Sequence, residues 1–234
     1  MQALVSKWKD QGIAVGTIKN RLAAIRWWAA KVDRRGAVAR GNDYYGIASR
    51  QMISAVSKAQ TLSAAQLAGI TDRHVYLSLE LQRAFGLRRE EALKFRPSFA
   101  DRGDRLVLKA SWTKGGKARV IPIRTDGQRK ILGRVWQLAG KGSLIPAERS
   151  YIQHLRVYVR QIMNAGLSRM HGLRHAYAQQ RYFDLTGWVC PVAGGPKSES
   201  LTLNDRRIDK AARLTISREL GHVREQIVSI YIGR

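Results

Sequence analysis

Through the first third of the chain the apolar positions recur with a helical period. Ile18, Leu22, Ile25, Ala29 and Val32 fall three and four residues apart, so residues 17 to 33 are predicted to form an amphipathic helix with Thr17 as its cap. Val5 and Trp8 mark a shorter helix before it. Trp27 and Trp28 are adjacent and cannot share one core, so one is expected inside, while Lys19, Arg26 and Lys31 take other faces, either solvated or laid on an anionic partner. Residues 34 to 60 mix Arg, Gly, Asn and Ser, and Ser57-Lys58-Ala59-Gln60 reads as a linker before a new start at Thr61-Leu62-Ser63. A domain boundary is therefore expected at residue 60, after a helical N-terminal part with little apolar area to bury alone.

Beyond that boundary Leu77, Leu79, Leu81, Ala84 and Phe85 predict a largely buried helix that ends at Gly86, a residue suited to a left-handed terminating position. A new helical turn holds Glu90, Glu91, Ala92 and Leu93. Leu106, Leu108 and Ala110 then alternate with Arg105, Val107 and Lys109, and Val120, Ile121 and Ile123 form a second short run. Gly115-Gly116 between them supplies the positive φ that a connection needs, which makes a β-hairpin. Helices are predicted over 127 to 139, over 151 to 165 with Leu155, Val159 and Ile162 on one side, and over 171 to 181. Pro191, Gly194, Gly195 and Pro196 make the stretch from Trp188 to Ser200 a loop. The fold class is mainly α with one small β-hairpin.

Charge sharpens the picture. Among 234 residues, 42 Lys+Arg face 17 Asp+Glu, a net charge of +25, and the pI is near 11.1. Meeting a polyphosphate backbone is then strongly favourable, and double-stranded DNA is the first partner to consider. The excess is spread out: residues 1 to 57 carry +7 and the remainder +18. With no short polybasic tract beside an amphipathic anchor, a broad electropositive surface fits a duplex better than a membrane. Apolar runs are too short to span a bilayer and no secretory leader is evident, so a soluble protein of the bacterial cytosol is expected. A single cysteine, Cys190, forms no internal disulfide and brings no zinc-ligand spacing, and Trp112, Trp136 and Trp188 are expected mostly in the core.

His171 and Arg174 lie three apart, so on a helix their side chains leave one face and can converge on one phosphate. Alone that pair says little. Taken in order, Gly86-Leu87-Arg88, the hairpin run Lys114-Gly115-Gly116-Lys117-Ala118-Arg119, His171 with Arg174, Leu220-Gly221-His222 and Tyr231 form a joint pattern over residues 62 to 234 that resembles the tyrosine recombinases, or phage integrases. The N-terminal helices look like the end of that family's core-binding domain, which gives domains at 1–60 and 61–234. The resemblance implies Arg88 and Arg174 as phosphate clamps, Lys114 as general acid, His171 and His222 as flanking imidazoles and Tyr231 as nucleophile. Glu91 matches an acidic companion that orients an arginine.

Elementary chemistry agrees with those roles. Attack on a phosphodiester builds negative charge on its oxygens, a demand that two permanently charged, forked guanidiniums meet well. Tyrosine has an ordinary pKa of about 10, so a phenolate near neutrality needs a base or a strongly positive setting. His171 can take that proton, and Lys114 on a hairpin can supply one to the leaving 5′-oxygen, with Lys117 the less favoured neighbour. Lys19, Arg26, Lys117, Arg119 and Arg124 are expected along DNA, and His175 is expected as a packed core histidine. The resemblance implies cutting and rejoining through a 3′-phosphotyrosyl link in a DNA-bound homotetramer, without ATP, metal or other cofactor, for integration or excision of a mobile element. Type IB topoisomerase chemistry and a non-catalytic DNA-binding regulator are the alternatives. Two departures stand out: the stretch from Arg174 to His222 is long, with the Pro/Gly-rich segment 188–203 reading as a surface insertion that meets DNA or a neighbouring protomer, and the chain stops three residues past Tyr231 where relatives often continue. The latter points to a different assembly or a trimmed end.

Overall fold

A computed structural model describes residues 1–49, 53, 55–222 and 224–234. The chain divides into two compact units, Met1–Met52 and Ile53–Arg234. The first contains α1 (Gln2–Asp10) and α2 (Val15–Lys31), followed by 3₁₀ turns at Arg35–Ala37 and Asp43–Tyr45. Val5, Ile18, Leu22, Ala29, Val38, Tyr45 and Ile47 form its core. Polar groups lock the turns onto the helices: the Lys9 ammonium donates to the Tyr45 carbonyl at 2.7 Å and the Ala39 N–H donates to the Tyr45 hydroxyl at 2.9 Å.

Three expectations for this unit are corrected. α2 begins at Val15, with Ala14 as a cap that makes no side-chain bond and Thr17 already inside the first turn. The buried stripe of α2 is narrow, so Trp27 and Trp28 are both outside it, at 66% and 60% exposure. Arg26 is not a free phosphate contact. Its guanidinium donates to the Ala39 and Gly41 carbonyls and to Asn42 Oδ1, bracing the loop that follows the helix. Lys19 is half-buried.

The second unit begins before the expected boundary. Within it Ser57 bonds to Gln179, and the Gln60 N–H donates to the Gly172 carbonyl at 3.1 Å, so the stretch expected as linker is built into the unit. Its elements are α3 (Ala64–Ala68), α4 (Arg73–Phe85), α5 (Arg89–Leu93), α6 (Pro97–Ala100), β1 (Arg105–Leu108), β2 (Arg119–Pro122), α7 (Asp126–Ala139), α8 (Tyr151–Asn164), α9 (Gly172–Thr186), α10 (Leu203–Glu219) and α11 (Ser229–Ile232). α3 starts where expected, because Ser63 and Gln66 close a reciprocal capping box. β1 and β2 pair antiparallel, Arg105 opposite Pro122 and Leu108 opposite Arg119. Leu106, Leu108 and Ile121 turn inward, while Val120 points out.

α4 is the spine of the unit, buried on two sides. Leu77, Leu81 and Phe85, four apart, pack with α6, the hairpin and α7. Val75 and Leu79, on another face, pack with Tyr158 and Ile162 of α8 and Leu173 of α9. A third cluster joins Tyr177 and Tyr182 of α9 to Ile216 of α10, Leu220, Val228, and Tyr231 and Ile232 of α11. α8 is turned by one position from expectation: His154 and Tyr158 join Ile162 inside, and Val159 faces outward. Burial of Tyr158 is satisfied by Gln82 Nε2, which donates to its hydroxyl at 3.2 Å. Trp112 is core as expected, whereas Trp136 is exposed. Cys190 is buried and the 3₁₀ turn Pro191–Ala193 packs on α11, so part of the apparent insertion is interior. Among the described residues no helix is long and apolar enough to cross a membrane.

Gly86 ends α4 at φ +61, as its sequence context predicts, and a Cβ built there would lie 2.5 Å from the Tyr177 ring. A side chain would meet a left-handed penalty and an overpacked helix contact together. Gly86→Ala is expected to lower the unfolding free energy by roughly 2–4 kcal/mol, read from urea titration at constant m-value.

Candidate active site

The end of α4 fixes the first cationic group. After Gly86 turns the chain, Arg88 stands as the cap of α5, its N–H and guanidinium both donating to Glu91, at 2.6 and 2.8 Å. Glu91 is completely buried and is also gripped from the hairpin: Arg119 donates one guanidinium N–H to each carboxylate oxygen at 2.6 Å. Burial alone would raise the Glu91 pKa, but the Arg119 hydrogen bonds and charge, with the Arg88 N–H, overcome it and lower the value to about 2. Arg119 is therefore corrected from a DNA contact to an internal ion-pair partner, only 7% exposed. Arg124 is likewise engaged internally, donating to Asp184 at 3.0 Å over the Tyr177 ring.

α9 brings the second guanidinium. His171 is the exposed cap of α9, and Arg174, one turn inside, is 1% exposed. Arg174 donates to the Gly86 carbonyl at 2.5 Å, to the Leu220 carbonyl, and from Nε to the Tyr231 hydroxyl at 3.3 Å. Burial, with the charges of Arg88 and Arg119 adding to it, lowers the Arg174 pKa to about 10, so it remains a cation near neutrality. Among the described residues no carboxylate pairs with it; its three partners are neutral.

The Leu-Gly-His motif closes the site. Leu220 is buried at the end of α10 and its carbonyl faces Arg174, while Gly221, at φ +69, turns the chain toward His222. His222 Nε2 lies 3.4 Å from the Tyr231 hydroxyl. Burial first, then Arg174 and Arg88, lowers the His222 pKa to about 4, and the same causes lower that of His171. Tyr231, on α11 and 5% exposed, is ringed by aromatics, with His175 at 4.7 Å, His222 at 5.8 Å and His171 at 6.0 Å between centroids, and Arg174 at 5.6 Å.

A cavity of about 640 Å³ opens beside these groups, with Arg88, Lys114 and His171 in its wall. Lys114 is exposed on the segment joining β1 to β2, where Gly115 and Gly116 take φ +87 and +65. Lys117 does not line that cavity. Five of the sequence-predicted residues therefore form one linked cluster, Arg88 through its charge on Arg174, His171 and His222, and Lys114 joins through the cavity wall. His175 is buried, as expected of a packed histidine, and lies against the Tyr231 ring. Sequence reasoning missed Gln179, which meets the Tyr231 backbone from a later turn of α9; the i, i+4, i+8 spacing from His171 was the available signal. No group of three or more His, Cys, Asp and Glu able to hold a metal occurs among the described residues.

The sequence profile of the integrases matches residues 46–180, more than half of the chain. The chain belongs to the tyrosine recombinase, or phage integrase, family. Solved structures with the same fold as this family member include a lambda integrase(75-356) dimer bound to a COC′ core site, at 17% identity and TM-score 0.60 over 99% of this chain and 78% of that one. The Tn1549 transposon integrase in complex with circular intermediate DNA matches at 12% identity and TM-score 0.56, over 100% and 80% of the two chains. The XerH recombinase on a palindromic difH substrate matches at 17% and 0.56, over 98% and 67%. In a longer lambda integrase chain the match spans 62% of that chain. No curated protein matches significantly.

The buried carboxylate at the centre of this recombinase fold yields a stability test. Because the Glu91 pKa is depressed, its stabilisation is fully present above the ordinary 4.5 and is lost as pH falls towards 2. Glu91→Gln leaves Arg119 buried without a counter-charge and is expected to cost about 3–5 kcal/mol at pH 7. Denaturation from pH 7 to pH 2 should show the gap between the two proteins narrowing with acid.

Proposed function

We propose that this chain is a site-specific recombinase that cuts and rejoins DNA through Tyr231, serving the integration or excision of a mobile element from the cytosol. The observation that carries the reading is the Tyr231 hydroxyl held between the buried Arg174 guanidinium, which no carboxylate touches among the described residues, and the His222 ring. DNA is the partner that the net charge of +25 favours, and the DNA complexes among the similar folds accord with it. Met1–Met52 would be the core-binding arm and Ile53–Arg234 the catalytic unit. Exchange between two duplexes needs four strand cuts, which a homotetramer on DNA supplies with one tyrosine each.

In the forward step the phenol oxygen bonds to phosphorus as the bond from phosphorus to the 5′-oxygen breaks. The 3′-phosphate becomes a tyrosyl ester and the 5′-oxygen leaves with a proton from Lys114. Arg88 and Arg174 hold the non-bridging oxygens as charge accumulates on them. Chemical reasoning from the sequence assigned the phenol proton to His171, but the ring hydrogen-bonded to the phenol oxygen is His222, whose lowered pKa keeps it able to accept that proton near pH 7. His171, exposed at the cavity wall, is then free to donate to a phosphate oxygen. Rejoining runs the same transfers backwards, with the ester conserving the energy of the cut bond.

Nicked duplexes with a randomised core test the reading. Wild-type protein should give a denaturant-resistant covalent adduct that Tyr231→Phe abolishes; an adduct of equal yield in that variant sinks the proposal. Arg174→Lys should slow adduct formation by at least about 100-fold, since a point charge replaces forked donors. The acid limb carries a second expectation. With His222 lowered to about 4, the second-order rate of adduct formation, which reflects ionisations of the free protein, should hold level through pH 6.5 and decline only towards pH 4.

A further inference from the structure

The face of α9 that carries His171 and His175 continues to Gln179, whose side-chain amide has two partners. One N–H donates to the backbone carbonyl of Tyr231 at 3.0 Å, and the other donates to Ser57 Oγ at 2.9 Å. The Ser57 hydroxyl donates back to Gln179 Oε1 at 3.2 Å and also accepts the Ala59 N–H at 3.2 Å. A hydroxyl offers one donor and two acceptor sites, and a carboxamide nitrogen offers two donors, so each group is saturated by this arrangement. Neither a carboxylate nor an apolar side chain at position 179 reproduces it.

Ser57 belongs to the segment by which the chain enters the catalytic unit. That segment is anchored a second time by the Gln60 N–H on the Gly172 carbonyl, with the Gln60 side chain pressed against Gly172 at the start of α9. Lys58 lies near enough for its charge to act on His175, which packs against the Tyr231 ring. The entering segment, the catalytic helix and the nucleophile's backbone thus share one set of polar contacts.

We infer that Gln179 is a positioning residue that ties the Tyr231 backbone to the entering segment through Ser57, so that the set of this segment governs how the nucleophile is presented. The inference rests on the recombinase reading and adds a regulated element to it. A change in the set of Ser57 has a route to the Tyr231 backbone, through Gln179, that passes through neither Arg174 nor His222.

The test uses the full chain and the duplex recovered from the randomised pool. Gln179→Ala and Gln179→Glu should slow single-turnover adduct formation about tenfold, and Ser57→Ala several-fold, while DNA affinity by gel shift at fixed salt stays within twofold of wild type. Ser57→Thr, which keeps the hydroxyl, should restore the rate. The double variant Ser57→Ala/Gln179→Ala should be no slower than Gln179→Ala, because both remove one connection. Without DNA, amide hydrogen exchange across residues 229–232 should quicken about tenfold in Gln179→Ala and Ser57→Ala. Unchanged exchange, or adduct rates equal to wild type, overturns the inference, as does a double variant whose losses multiply. Absence of any adduct from wild-type protein instead overturns the recombinase reading, and the exchange measurement still decides the structural link.

Discussion

The second unit is assembled around one buried guanidinium. Arg174 reaches three separate elements: the turn after α4, the end of α10 and the tyrosine on α11. An ion taken out of water must recover its lost hydration from fixed dipoles, and two backbone carbonyls and a phenol do so here. Those same bonds dictate where the carbonyls must lie, so the solvation of one charge fixes the relative position of α4, α9, α10 and α11. No carboxylate is hydrogen-bonded to Arg174 among the described residues, and one Glu91 charge serves several cations, so a net positive field remains available to an incoming anion.

Glu91 performs the complementary task. By accepting from Arg88 and Arg119 it places one negative charge under a group of cations that would otherwise repel one another, and it joins α5 to β2. The division of labour between arginines follows from depth. Arg119 is wholly engaged with the carboxylate, while Arg88, half-buried, reaches both Glu91 and the cavity. The lowered pKa values of the three imidazoles around Tyr231 fit the same scheme, because desolvation and the neighbouring cations disfavour any further positive charge.

Much of this was legible in the sequence because the relevant signals are local or rigidly ordered. Gly86, the hairpin glycines, the helix over 126–139 and the Leu-Gly-His turn each announce themselves within a few residues. What escaped depends on which face of an element meets which neighbour. Arg26 and Arg119 look like any surface cation until the loop carbonyls or the carboxylate they serve come into place. Val159 faces outward and Tyr158 inward because the tyrosine hydroxyl finds a partner in Gln82, a preference that hydrophobic period alone does not encode. Gln179 and Ser57 carry no motif, and their significance exists only in three dimensions.

The packing of the Pro191–Ala193 turn against the end of α11 also bears on how such a protein can diverge. Pro191 and Val192 close over Gly233 so tightly that a single added carbon there would strike the Val192 backbone. A side chain at position 233 therefore requires a matching shift in the Pro191–Val192 backbone. The loop and the end of α11 are thus one packing unit, although the residues of the candidate site, Leu220 to His222 and Tyr231, lie between them in sequence.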